Sequence, residues 1–333
     1  MELKKIRFSD ARIKAQWQDL YCRNSHLFPY SSREYNELFN KYFRFDIKRI
    51  FVKRLFYGLY DEKQDLKLIV PLCQKKKNLY IFGDFGDEAI LDFIYPENIS
   101  FDYLAITIKE LKRLHPGKRL ILNRIAENSL LHRWLNASGY RSNIGKTFEY
   151  IELPNTIEEY EQKQPEDTRV IVQQVDDFFR KNALDIELKA VRGRNDEDIV
   201  KAILDLYFKQ DRLACNSGRN VVKRLKQKRF STLIATCTKG SFALNTLLYV
   251  NGIMSGVVSG FFDMEDRRFI AKKVVVDGIY DKQEVSVWLY SKTIEWLIEN
   301  TTVKISNVLR KIEYQKFTND TKMFYCYNYN IAL

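Results

Sequence analysis

The chain has 333 residues, 45% of them hydrophobic and 29% charged, a balance typical of a soluble globular protein with material for two domains. Its net charge of +12, shared about equally between its halves, favours anionic partners. With no apolar run of about 18 residues, no signal peptide and five scattered cysteines, we expect a cytoplasmic protein without a membrane span, disulfides or zinc.

The first half of the chain predicts helices and antiparallel strands in an α/β order. Ser31 or Ser32 is a suitable N-cap for a helix over 32–44. The apolar runs that follow are separated by polar turns, as in antiparallel strands. The remaining predicted elements of this half are strands at 50–60, 66–74 and 78–83, a helix at 101–114, a strand at 119–124, a helix at 127–137 and a strand at 147–153.

The second half repeats this theme after a charged helix predicted around 167–182. Pro154 and Pro165 punctuate the link, and we place the domain boundary near residue 160, which gives domains 1–160 and 161–333. Asn251-Gly252 between two apolar runs is a strong hairpin signal. The other predicted elements are helices at 195–213 and 217–229, strands at 231–238, 242–250, 253–263 and 268–276, a helix at 283–299, a strand at 303–309 and a closing strand at 323–331.

A short apolar strand near the carboxyl end runs into a segment with an acid, a phenol and a cation. These residues are Glu313, Tyr314 and Lys316, within the stretch 304–317. Proteins of the α/β class place ligands at the carboxyl ends of strands. The segment is therefore our first candidate for a functional site.

Several short pieces carry a family resemblance through their order and spacing: Phe28-Pro29, Ile69-Val70-Pro71-Leu72, Asp92-Phe93, Asn128-Ser129-Leu130-Leu131, Leu153-Pro154, Asn251-Gly252, Gly278-x-Tyr280-Asp281 and Glu313-Tyr314-x-Lys316-Phe317. Over about residues 20–320 the layout resembles the double-domain acyltransferases of the GNAT superfamily, namely the CelD-like acetyltransferases of bacterial polysaccharide biosynthesis. It is similar, more distantly, to the FemAB-type aminoacyl transferases of peptidoglycan assembly. The resemblance implies an α/β (α+β) fold of two tandem GNAT-like domains, each a mixed, mostly antiparallel sheet flanked by helices.

The resemblance also implies a reaction, the transfer of an acyl group from acetyl-CoA or another acyl-CoA to an amine or hydroxyl of a small-molecule acceptor. In the second domain Lys316 would stabilise developing negative charge, while Glu313 and Tyr314 would serve as general base and acid. The residues alone leave other readings open. Lys316 is also consistent with a solvated surface lysine, Tyr314 with a core or rim residue, and Glu313 with an ion pair to Arg310.

The loop that enters helix 283–299 is the predicted donor site. Backbone N–H groups at a helix amino terminus attract phosphate, although Glu284 in the first turn satisfies the same dipole internally. The predicted donor-binding residues are Val275, Val276, Asp277, Gly278, Tyr280 and Ser286. For the acceptor we predict Asp211, Arg212 and Arg310, with salt bridging at a helix end as the alternative for the first two.

Three functions remain open from the sequence. Acyl-CoA-dependent transfer is the first, and a sugar or cell-envelope precursor is one acceptor that the resemblance implies. FemAB-like transfer from aminoacyl-tRNA is the second, which the positive charge and the missing arginine-glycine phosphate loop motivate without favouring it. The third is a binding module that keeps the fold without catalysis. The three histidines lie far apart without ligand spacing, so we predict no metal.

Overall fold

The computed structural model describes residues 1–43, 52–83, 89–193, 196–214, 221–263, 267–307 and 322–333. Its contacts divide the chain into two compact units. The first contains Met1–Phe148 and Phe324–Leu333, and the second contains Glu149–Met323. From the sequence we instead expected a boundary near residue 160, with every later residue in the second domain. The last strand returns to the first unit because it pairs with a strand there.

The helices of the first unit begin at serine or aspartate caps, and the sequence led us to expect one at Ser31 or Ser32. The hydroxyl of Ser32 accepts from the Tyr35 N–H (3.1 Å), and the Ser129 hydroxyl likewise accepts from the His132 N–H (3.2 Å). The elements in chain order are β1 (Glu2–Lys5), α1 (Ala11–Cys22), α2 (Arg33–Phe43), β2 (Lys53–Tyr60), β3 (Leu66–Lys75), β4 (Asn78–Ile81), α3 (Phe101–Leu114), β5 (Arg119–Ala126), α4 (Leu130–Ala137) and β6 (Ser142–Glu152), which runs on into the second unit.

The second unit contains the remaining elements. Its strands are rich in Val, Ile, Leu and Phe, and their apolar side chains form a continuous core with the helices. In chain order the elements are α5 (Ile157–Lys163), α6 (Glu166–Lys181), β7 (Ile186–Arg192), α7 (Glu197–Ala214), α8 (Val221–Cys237), β8 (Ala243–Val250), β9 (Ile253–Phe262), β10 (Arg268–Val276), α9 (Val285–Asn300), β11 (Ile305–Asn307) and β12 (Lys322–Ala332), which runs on into the first unit.

The sheet of the first unit has the strand order β1-β2-β3-β4-β5-β12. Strands β4 and β5 are parallel, and the other neighbours are antiparallel. Strand β12 pairs with β5 from Cys326 opposite Ala126 to Ala332 opposite Arg119. We predicted this closing strand as part of the second domain, which was wrong because a pairing across about 200 residues leaves no mark in the local pattern.

The sheet of the second unit has the strand order β11-β10-β9-β8-β7. Strands β10 and β11 are parallel, while the other pairs are antiparallel, including the end of β6 against β11. The predicted hairpin is confirmed: Asn251 and Gly252 both have positive φ (50° and 75°) between the paired residues Val250 and Ile253. Each unit is thus a mixed, mostly antiparallel sheet with flanking helices, as predicted.

One predicted strand of the second unit is helical instead. Residues 231–238 suggested a strand through their alternating β-branched side chains, but α8 continues through them to Cys237. The hydroxyls of Thr232 and Thr236 donate to the carbonyl oxygens four residues earlier (2.8 Å each), and Leu233 and Ile234 are buried. Tertiary burial therefore overrides the local propensity. No helix in the described ranges is both long and apolar enough to cross a membrane.

Helices cover both faces of the second sheet. Leu289 of α9 lies against Gly256, so a methyl group on Gly256 would come within 2.9 Å of the leucine. Ser259, three residues further along β9, points to the opposite face because side chains alternate along a strand. There its hydroxyl accepts from the hydroxyl of Tyr207 on α7 (2.6 Å). Helix α7 thus covers the face opposite α9.

Candidate functional site

The candidate site of the second unit lies where β10 ends and α9 begins. A 3-10 turn over Gly278–Gln283 joins the two elements. Strand β10 pairs with β11 at Arg268 opposite Ile305 and at Phe269 opposite Ser306. The side-chain amide of Asn307 then donates to the Ala271 carbonyl oxygen (3.2 Å). Among the described residues the parallel pairing stops here, although β10 continues to Val276.

The backbone of β10 beyond this point presents hydrogen-bonding groups on the side away from β9. The Asp277 N–H donates to the Ser255 carbonyl oxygen of the neighbouring chain segment (2.7 Å). Backbone groups alternate sides along an antiparallel strand, so those of Val275 also face β9. The N–H and C=O groups of Val274 and Val276 therefore point the other way. An extended ligand that contains amides could bond to them as an added strand does.

An ion pair marks the carboxyl end of β10. The ammonium of Lys209 on α7 lies 2.5 Å from the Asp277 carboxylate, which also accepts from the Ile279 N–H (3.3 Å). Lys209 therefore balances a negative charge that would otherwise oppose an anionic donor at this turn. Tyr280, the next predicted donor residue, is only 9% exposed, and its ring packs against Phe179 (centroids 6.3 Å apart).

The start of α9 is less suited to binding a phosphate than the edge of β10 is to binding an amide-containing ligand. Glu284 is the N-cap of α9 and has a left-handed backbone conformation (φ 51°), which glycine adopts more readily. Its carboxylate brings negative charge to the amino terminus of the helix, where the dipole would also attract phosphate. Ser286, in the first turn, is partly exposed. A donor phosphate at this helix would lie close to the charge of Glu284.

The structure describes some of the predicted site residues and not others. Residues Val275 to Gly278, Tyr280 and Ser286 lie together at the end of β10 and the start of α9. Asp211 and Arg212 belong to the last turn of α7, with side chains outside the described part. Outside the described residues altogether lie Arg310, Glu313, Tyr314 and Lys316. Within the described residues no group of three His, Cys, Asp or Glu could hold a metal ion.

A row of polar side chains crosses the face of the second sheet that α7 covers. Asn245 on β8 lies opposite Ser259 on β9, which lies opposite Lys273 on β10. We call these three residues the polar row. The Tyr207 hydroxyl donates to Ser259 Oγ (2.6 Å), which donates to Asn245 Oδ1 (2.5 Å). Lys273 Nζ donates to Ser231 Oγ of α8 (2.6 Å) and lies 4.4 Å from the centre of the Tyr207 ring.

We did not predict the polar row from the sequence, although the sequence contains a signal for it. In each of β8, β9 and β10 a polar residue occupies a position whose side chain points toward covering helices, where alternation favours an apolar one. Asn245 and Ser259 are fully buried. Recognising the signal requires the register of three strands, because it places the three residues side by side.

Comparison with known proteins identifies the fold. No protein-family model matches the sequence, and no curated protein matches it significantly. Among solved structures, FemX is similar with a TM-score of 0.62 and 8% identity over 100% of this chain and 98% of FemX. L-PGS from Bacillus licheniformis gives 0.58 and 9% over 96% of this chain and 91% of L-PGS. A tandem GNAT protein from the clavulanic acid biosynthesis pathway gives 0.50 and 10% over 99% and 98%.

At such identities the likeness concerns the fold. The GNAT-like, FemAB-like fold expected from the sequence is confirmed, and the likeness extends over nearly the whole chain. The CelD-like subgroup stays a prediction, as do the roles of the individual site residues.

Proposed function

We propose that this protein is an acyltransferase whose second unit transfers an acyl group from acyl-CoA to an amine or hydroxyl. The observation that carries the proposal is the edge of β10 beside the start of α9. There the backbone groups of Val274 and Val276 face away from β9, just before the helix that would face the donor's phosphates. When bound, acyl-CoA supplies the activated acyl group, and this edge would hold its amide-containing arm.

The corresponding place in the first unit supports the assignment to the second. There β4, which pairs in parallel with β5, is followed by a segment that returns to β3 through the bridge between Ile69 and Ile94. From β5, the Arg124 side chain donates through Nε to the carbonyl oxygen of Ala89 in that segment (2.9 Å). The chain itself thus lies beside β5 in the first unit.

Calorimetric titration of the full chain with acetyl-CoA and longer acyl-CoAs tests the proposal. The informative variant is Ser286→Asp, since an acidic residue in the first helical turn favours the helix while it repels a bound phosphate. We expect Ser286→Asp to weaken acyl-CoA binding about tenfold or more, because it holds two like charges close together at a partly exposed position. Ser286→Ala is the matched control, because backbone N–H groups remain, and its affinity should change less than about threefold.

Two results would contradict this proposal. One is the absence of binding heat with every acyl-CoA. The other is equal affinity of Ser286→Asp and the unaltered chain, which would place the phosphates away from α9. Turnover is then measured with amine and hydroxyl acceptors, since binding alone does not distinguish an enzyme from a binding module.

Aminoacyl transfer from tRNA is the second candidate. It is supported by the likeness to FemX, whose group the sequence resemblance associates with aminoacyl transfer, and by the net charge of +12. This candidate predicts tRNA binding whose affinity falls steeply with salt concentration. Absent or salt-independent binding would exclude it.

A further inference from the structure

The second sheet ends at a strand whose outer edge is open. Strand β7 is the last in the order β11-β10-β9-β8-β7, and no other described strand pairs with its outer side. On its inner side, the Gly193 N–H donates to the Ala243 carbonyl oxygen, and the Asn251 N–H donates to the Asp185 carbonyl oxygen (2.8 Å each). Because backbone groups alternate sides along an antiparallel strand, the odd-numbered residues of β7 bond to β8 and the even-numbered ones point outward. The outward-pointing residues are Ile186, Leu188, Ala190 and Arg192.

The side chains at the middle of β7 are exposed and differ between the two faces of the strand. Leu188 is 40% exposed, on the face where Ile186 and Ala190 pack against the apolar core. Glu187 and Lys189 are both exposed on the opposite face. An open edge that carries an exposed apolar residue is a surface to which another strand can add.

A second copy of β7 fits this edge, because the strand is complementary to itself in one antiparallel register. With Leu188 opposite Leu188, two-fold symmetry places Glu187 of each copy opposite Lys189 of the other. The outward backbone groups of the two copies then face each other, and the two charge pairs become non-hydrogen-bonded pairs, whose side chains approach most closely. On the other face, Ile186 would lie opposite Ala190, so the apolar face continues from one copy into the next.

The other registers on this edge bring like charges together or leave the charges unpaired. An axis through Glu187 sets two glutamates against each other, although Asp185 then lies opposite Lys189, and an axis through Lys189 sets two lysines against each other. An axis through Ile186 places Asp185 opposite Glu187. An axis through Ala190 leaves Lys189 without an acid opposite it. Charged residues often protect an edge strand against pairing, whereas on β7 they favour one register over the others.

We infer that β7 is an interaction surface for a second copy of this chain, which adds its own β7 antiparallel with the two-fold axis at Leu188. The second sheet then continues from one copy into the other. Strand β7 offers seven residues, fewer than the about 20–30 residues that each side of a standard interface contributes. The dimer therefore dissociates on dilution.

Sedimentation equilibrium of the full chain over a range of concentrations measures this dimer. Glu187→Lys and Lys189→Glu each replace two unlike pairs by two like pairs, so each should weaken the dimer about tenfold or more. The double variant Glu187→Lys/Lys189→Glu restores unlike pairs with the signs exchanged, and its affinity should return to within about threefold of the unaltered chain. With the axis at Glu187, the double variant would instead set Asp185 opposite an acid, so restoration identifies the register.

An equimolar mixture of the two single variants distinguishes a lost interface from a lost fold. One copy then carries two lysines at this place and the other two glutamates, so mixed dimers regain both unlike pairs although neither variant pairs well with itself. Glu62→Lys is the matched control, because it makes the same charge change as Glu187→Lys in an exposed turn of the first unit. It should leave the affinity unchanged.

The inference is overturned if the chain stays monomeric up to about 1 mM or if either single variant associates as the unaltered chain does. It is also overturned if neither the double variant nor the mixture regains affinity. The dimer does not depend on the proposed acyl transfer, so an acyl-CoA titration without binding heat would leave it standing.

Discussion

Asp92 provides the sharpest test of the energetics of the first unit. Burial raises the pKa of its carboxyl group to about 7, although three donors favour the ionised form. These donors are the Ser129 hydroxyl (2.5 Å), the Tyr95 hydroxyl (2.8 Å) and the Phe93 N–H (2.7 Å). Ser129 is also the N-cap of α4, so the carboxyl group supports the start of that helix.

The raised pKa of Asp92 determines both the sign and the size of its effect on stability as the pH changes. The ordinary pKa is 3.8, so between about pH 4 and pH 7 the folded state holds a proton that the unfolded state has lost. The contribution of Asp92 to stability is therefore complete below pH 4, declines as the pH rises to about 7 and is constant above it. At 1.36 kcal/mol per pKa unit, the contribution of Asp92 to stability declines by at most about 4 kcal/mol. This value is an upper limit because the dipole of α4 favours the carboxylate and makes the decline smaller.

Urea unfolding of the unaltered chain and of Asp92→Asn, from pH 4.5 to 8, measures this decline. Asparagine has nearly the same shape and does not titrate in this range. Biosynthetic 5-fluorotryptophan gives separate fluorine resonances for Trp17 and Trp134, both in the first unit, so its unfolding is followed on its own. We expect the unfolding free energy of the unaltered chain, minus that of Asp92→Asn, to fall by several kcal/mol as the pH rises.

A difference that stays constant within about 0.5 kcal/mol over this range would refute the reasoning, because it would mean that Asp92 ionises alike in both states. Asp65→Asn is the control. Asp65 is an exposed carboxylate in a turn of the same unit, and its replacement should change stability by a similar small amount at every pH.

Two further substitutions test the second unit by urea unfolding. Tyr290→Phe removes the hydroxyl that bonds to Ser306 Oγ (3.0 Å) and to the Asn307 carbonyl oxygen (2.6 Å). It should lower the unfolding free energy by about 1–3 kcal/mol. A loss below about 0.5 kcal/mol would show that water takes the place of the hydroxyl. The Asp263 carboxylate lies 2.6 Å from the guanidinium of Arg268, whose side chain is 15% exposed. Asp263→Ala removes this carboxylate and should lower the unfolding free energy by about 3–5 kcal/mol. An effect under about 1 kcal/mol would mean that solvent screens the pair.

Local chemistry accounts for the elements that the sequence predicted well. The helix at 101–114 has the predicted bounds because Ser100 caps its start and the Pro116-Gly117 turn follows its end. The Asn251-Gly252 hairpin requires only two residues that tolerate positive φ. The failures are non-local. Helix α8 absorbs a stretch that local propensity assigns to a strand, and β12 finds its partner in β5, far away in the chain.

The roles of the candidate site residues stay a prediction, but the sequence signals for these residues are also either local or non-local. Val275, Val276 and Asp277 were predicted because a strand followed by a helix is a local pattern with a known ligand-binding geometry. Asn245, Ser259 and Lys273 were missed because each alone is an ordinary polar residue in a strand. That they form one row appears only when the register aligns them across three strands.

The polar row is a place where the sequence departs from what folding alone favours in the second unit. Apolar residues at Asn245 and Ser259 would serve a buried sheet face better, since an amide without an acceptor there is a liability for stability. Conflicts between local rules and the fold are expected mainly at functional sites. Asn245 and Ser259 lie on β8 and β9, and Lys273, beside the bulge of β10, donates to Ser231 of α8.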